Sequence, residues 1–234
     1  ANTFNFGGSL INNATTFSTT STGTHAFSGA GKTISGTTTT SIPKFSFTGT
    51  YTNTGTLTAA TWVDVTGTLT NNGTITTSAL SGAGGVTQGI IGILNFSGAS
   101  ITPTLTATAA GNTVNYTGAG AQSIKSTTYS NLTTSGSGIK TAGGMVTVTN
   151  LSVGSGTTFS TVTSVNAGGN WMVDGTFTQT AVSTTFTGVS LTSHTCSGTG
   201  ISQFAALITS SQTINAGSCD LRISGSWTHG TAGI

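Results

Sequence analysis

Glutamate is absent from this 234-residue chain, and charge of either sign is scarce. Only 3% of residues are charged, against about 25% in an ordinary soluble domain. The acids are Asp64, Asp174 and Asp220; the bases are Lys32, Lys44, Lys125, Lys140 and Arg222. A net charge of +2 leaves no electrostatic footprint for nucleic acid, so no such partner is expected. Three scattered acids cannot build a calcium cage, and His25, His194 and His229 lack zinc-ligand spacing. No metal and no cofactor is expected.

Catalysis fares no better. A polysaccharide-cleaving site needs clustered acids, or an acid beside a base. Asp64 and Asp174 follow Trp62 and Trp171 closely. That pattern suits a sugar platform, or more simply a solvated turn Asp beside a packed Trp. Gly82-Ala83-Gly84-Gly85 has the content of a phosphate loop, but no helical pattern follows it. Lys125 and Lys140 could in principle bond to an Asn, yet no Glu exists to promote an isopeptide. No catalytic residue is assigned, and the chain reads as a non-enzyme.

Helix formers are too few for a helical protein. No apolar run approaches the ~18 residues of a spanning helix, so no membrane insertion is expected. Disorder is also excluded, because 34% of residues are hydrophobic and mean hydropathy is +0.17. Only Pro43 and Pro103 interrupt the chain.

Thr, Ser and Gly fill roughly half of the sequence, well above their usual share. Thr, Val, Ile and Phe favour strands, whereas Gly and Asn favour turns. Thr68-Leu69-Thr70, the turn Asn71-Asn72-Gly73 and Thr74-Ile75-Thr76 alternate with period two. Val146 to Val153 alternates likewise, with one phase slip at Asn150 that marks a corner or bulge.

The motif apolar-x-aromatic-Ser/Thr-Gly recurs, with its aromatic at Phe27, Phe47, Phe96, Tyr116 and Phe186. A second motif places Gly-Thr before Leu57, Ile75 and Phe177; a third is Gly-x-Trp at Trp171 and Trp227. Repeats of roughly 20–24 residues made of short strands indicate a solenoid. The expected fold is all-β: one elongated parallel β-solenoid over 1–234, of roughly ten coils. The alternative is tandem β-sandwiches of about 100 residues each. In a solenoid, the repeated aromatics with Leu57, Ile75, Val148 and Phe177 form buried ladders.

Cys196 and Cys219 lie close to one repeat apart, so a disulfide is expected, and with it an oxidising compartment. Asn112-Thr113-Val114-Asn115-Tyr116-Thr117-Gly118, Tyr129-Ser130-Asn131-Leu132-Thr133 and Val165-Asn166-Ala167-Gly168-Gly169-Asn170-Trp171 carry a resemblance. They are similar to repeats of large secreted bacterial surface proteins, the Ser/Thr/Gly-rich adhesin or filament type. That resemblance implies an extracellular or cell-surface location and a structural or adhesive role.

Both ends of the sequence are in strand pattern without a polar cap. The expected function is therefore a structural subunit of a filament, sheath or surface layer, polymerising with itself head to tail. Phe4, Phe6, Leu10, Ile223 and Trp227 would set the joint. The alternative is an adhesin stalk or a carbohydrate-binding module with surface glycans as partner. A lesser form is ice binding by Thr-x-Thr pairs such as Thr56/Thr58, Thr68/Thr70, Thr74/Thr76 and Thr176/Thr178.

Overall fold

The computed structural model describes residues 3–15, 17–20, 22–187, 193–210, 213–215 and 217–230. The side chains of 193–196, 210, 213 and 215 are outside that description. The fold is a parallel β-solenoid of about 11 turns, all strand and without a helix among the described residues. Every described pairing is parallel, which removes the sandwich alternative, since sandwiches are antiparallel. Two compact units divide at Val114/Asn115, inside the strand Thr113–Tyr116.

Unit 1 has three faces per coil. The first stacks Phe4–Phe6, His25–Phe27, Lys44–Phe47, Trp62–Val65 and Leu80–Ser81. The second stacks Leu10–Ile11, Lys32–Ser35, Thr50–Asn53, Thr68–Asn71, Gly85–Gln88 and Thr104–Thr106. The third includes Phe17–Ser18, Thr40–Ser41, Thr56–Ala59, Thr74–Thr77 and Ile93–Phe96. Column partners Phe4, His25, Phe45, Val63 and Leu80 set coils of 17 to 21 residues.

Unit 2 turns differently. One sheet stacks Gln122–Ile124, Gly138–Ala142, Thr157–Thr161, Thr176–Gln179, Ile201–Phe204 and Asp220–Ile223. The long strand Val146–Val153 pairs through its first half with Val165–Ala167 and through its second half with Trp171–Val173. Asn150 sits at that corner, where the sequence slips phase. Its amide donates to Asn131 Oδ1 at 2.8 Å, and its own Oδ1 accepts from Asn170 N at 3.0 Å.

Alternation explains the burial. Each strand turns one residue in two inward; all nine expected ladder residues are buried, from Phe27 to Phe186. Their columns differ from the simple repeat, however. Phe27 and Phe47 share the first face, one coil apart, whereas Phe96 lies on the third. The motif marks a strand end before a tight corner, and any corner can carry it. Its spacing of 49 residues from Phe47 to Phe96 is therefore no whole number of coils.

Corners are set by backbone contact. Gly29, Gly49, Gly67 and Gly84 stack at one corner of unit 1. A Cβ on Gly49, Gly67 or Gly84 would lie 2.0–2.1 Å from the carbonyl oxygen of the glycine one coil earlier. The carbonyls of Gly29, Gly49, Gly67 and Gly84 accept Thr50 N, Thr68 N, Gly85 N and Thr104 N in turn, at 2.9–3.0 Å. The hydrogen bond that joins the coils thus leaves no room for a methyl group. At the next corner Asn53 Nδ2 donates to Asn71 Oδ1 at 2.8 Å, and Asn71 Nδ2 to Gln88 Oε1 at 2.9 Å. Asn53 and Asn71 also accept Gly55 N and Gly73 N, closing the turns that the sequence shows as Asn-x-Gly.

A pair of glycine substitutions tests this geometry. Gly67→Ala should destabilise by about 3 kcal/mol, because coils must spread to admit it. Gly85→Ala, with nothing near its Cβ position, should be neutral or stabilising. Denaturant unfolding of both variants is the measurement; equal effects would refute the corner account.

Candidate functional site

The acids do not converge on a site. Asp220 forms an exposed ion pair with Arg222 at 2.6 Å, which holds its carboxyl below the usual range through the Arg222 hydrogen bond. Asp174 accepts Thr199 N at 3.2 Å. Trp171 is fully buried among Phe177, Phe186 and Phe204, with its Nε1 donating to Ser202 Oγ at 3.0 Å. Trp171 and Asp174 therefore make no sugar platform. Trp62 and Asp64 differ: both face outward on the first face of unit 1, and Asp64 Oδ1 accepts from Ser81 Oγ at 2.7 Å.

His25 is buried beneath Phe4, and His229 Nδ1 lies 2.8 Å from Thr209 Oγ1. The His194 side chain lies outside the described residues. Among the described residues no group of three His, Cys, Asp or Glu could hold a metal.

The sequence shows Lys140 as a charge and as an isopeptide lysine without a promoting Glu. It occupies an inward position, between Gln122 and Phe159 in its column, and is fully buried. Its Nζ donates to the carbonyls of Gly118, Gly120 and Ser137 at 2.6, 2.9 and 3.0 Å. Burial lowers its pKa from the ordinary lysine value, and the three carbonyl partners oppose that by favouring the ammonium.

Tyr116 and Tyr129 form a second buried cluster: their hydroxyls lie 3.2 Å apart, Tyr129 donates to Lys125 O, and Tyr116 accepts Lys125 N. Burial raises both pKa values, Tyr129 well above the ordinary one, with the neighbouring Tyr116 adding to the effect there.

The outer face of the second sheet in unit 1 carries a threonine lattice. Thr33, Thr52, Thr70, Thr87 and Thr106 form one column; Thr50, Thr68, Gly85 and Thr104 form the next. Strands lie ~4.8 Å apart and same-face residues ~6.6 Å apart, so hydroxyls and methyls repeat on a two-dimensional grid. Of the expected pairs, Thr68/Thr70 belongs to this lattice. Thr56/Thr58 and Thr74/Thr76 stack on the third face and are continued by Ile93 and Asn95. Thr176/Thr178 stack on Thr158 and Ser160 in unit 2. The Thr-apolar-Thr signature at Thr50, Thr68 and Thr104 is shared by Thr56 and Thr74 on the third face, so it marks outward threonine pairs and not the second-face lattice alone.

The residues expected at the assembly ends lie on outermost strands of each unit. Phe4 is 54% exposed and Trp227 58%, while Phe6, Leu10 and Ile223 are partly covered. Their column partners Phe27, Ile34, Phe204 and Leu207 are buried. The expected Cys196–Cys219 bond falls on a side chain, Cys196, outside the described residues.

The tyrosine cluster predicts an alkaline response. The folded state keeps these phenols protonated where free tyrosine ionises, near pH 10. Their contribution is complete below that pH and lost as pH rises above it. Lys140 has the opposite sign, since its depressed pKa makes stability rise as pH climbs toward the free lysine value. Tyr129→Phe should cost about 1–3 kcal/mol at neutral pH, from the two hydrogen bonds of its buried hydroxyl, and should reduce the alkaline loss. Thermal melts from neutral to strongly alkaline pH are the check; an unchanged alkaline slope would exclude Tyr129 as its source. No family model, curated protein or solved structure matches the chain.

Proposed function

We propose that this chain is a non-catalytic structural element of an extracellular fibre, sheath or surface layer, whose coils stack head to tail on those of another copy. The exposure of column positions on the outermost strands supports this reading. Phe4 and Trp227 occupy columns whose other members are buried, and unpaired strand edges template further pairing. Main-chain hydrogen bonds would supply affinity, and Phe6, Leu10 and Ile223 the register. With so little charge, the joint would depend only weakly on salt. The Cys196–Cys219 disulfide is part of the proposal, as is the oxidising compartment it requires.

Electron microscopy and light scattering of the purified chain are the tests. Filaments of uniform width are expected, and deletion of residues 1–8 or 224–234 should abolish them. A wild-type chain that stays monomeric at high concentration rejects the proposal. Non-reducing mass spectrometry should find the two cysteines linked.

The threonine lattice supports a second reading, an ice-binding face. A grid of hydroxyls and methyls without charge can hold ordered water in register across five coils. Thr70→Lys should abolish inhibition of ice recrystallisation, and Gly85→Thr, which completes the second column, should strengthen it. No inhibition by the wild type excludes this reading.

A further inference from the structure

We propose that the outward first face of unit 1 binds a neutral polysaccharide chain, with Trp62 as platform and Lys44 and Asp64 as hydrogen-bonding arms. The placement follows from register. Val63 and Val65 point inward and are fully buried, so Trp62 and Asp64 point outward. One coil earlier, Lys44 pairs with Trp62 and Ser46 with Asp64; one coil later, Ser81 pairs with Asp64. Ala79 continues the Trp62 position on that side, and Trp62, Lys44 and Asp64 are each half-buried, with part of every side chain at the surface.

The charges have no structural use in view. Unit 1 carries only Lys32, Lys44 and Asp64 as charged residues, and two of the three are in this patch. Among the described residues the one ion pair is Arg222–Asp220, so Lys44 and Asp64 do not neutralise each other by contact. Lys44 Nζ makes no hydrogen bond among the described residues, and Asp64 Oδ2 none, while Asp64 Oδ1 is oriented by Ser81. Elsewhere on these sheets Thr and Ser fill most outward positions. Trp62 also makes none of the ring contacts that bury Trp171.

The chemistry selects the ligand. Two opposite charges side by side leave no net attraction for an anionic or cationic polymer. A pyranose with equatorial hydroxyls presents a flat C–H face, which the electron-rich face of an indole attracts. A carboxylate accepts from two vicinal hydroxyls, and an ammonium donates to hydroxyl or ring oxygens. The surface is an open sheet and not a concave pocket, so it suits an extended chain and not a small free sugar. A β-linked glucan meets each requirement. This reading is independent of filament assembly, because it uses residues on inner coils.

Titration of the full chain with cellohexaose and laminarihexaose, followed by tryptophan fluorescence and calorimetry, tests it. Saturable binding is expected with Kd of about 1 mM or tighter for at least one probe. Trp62→Thr, an outward residue type the sheet already accepts, should weaken it at least tenfold. Asp64→Asn and Lys44→Met should each weaken it several-fold, and Trp62→Phe should retain part of it. Circular dichroism melts confirm that each variant folds. Absence of binding to both probes, or binding that survives Trp62→Thr, overturns the proposal.

Discussion

Among the described residues, strand positions stack on their equivalents one coil away, at the distance of a parallel strand pair. That constraint governs the composition. A charge placed in a column meets whatever the next coil holds there, and repeated coils would stack like on like, which is destabilising. Residue types that tolerate their own kind are the ones found: Phe27 on Phe47, Asn53 on Asn71, Gly49 on Gly67, Thr52 on Thr70. The near absence of charge is thus a property of the architecture as much as of the environment.

The same constraint separates what the sequence revealed from what it hid. Period-two alternation and the Asn-x-Gly turns were readable, because each is encoded within a few adjacent residues. So was the corner at Asn150, through its phase slip. Column membership was not readable, because coil lengths vary from 17 to 25 residues. Phe47 and Phe96 share a motif but not a face. Trp171 and Trp227 share Gly-x-Trp, yet one is fully buried and the other largely exposed.

Lys140 could not be read at all as an interior residue, since a lone lysine usually signals a surface. It becomes intelligible once three corner carbonyls are seen to converge on it. The Trp62 patch was visible as a pair of residues two apart. Its flanking Lys44, Ser46 and Ser81 come from other coils, and only the register brings them together.

The amide ladder of unit 1 has a direction. Each side-chain NH2 points along the stack, from Asn53 to Asn71 to Gln88, and then finds nothing: Gln88 Nε2 is buried without a partner. Continuing the register from Thr87 and Thr106 places Ala107, a methyl, at the next rung. A buried donor left unmade costs about 1–3 kcal/mol, so the chain holds a latent reserve of stability that one polar side chain at position 107 would release. That the reserve stands unclaimed fits a protein selected to clear a threshold and not to reach an optimum.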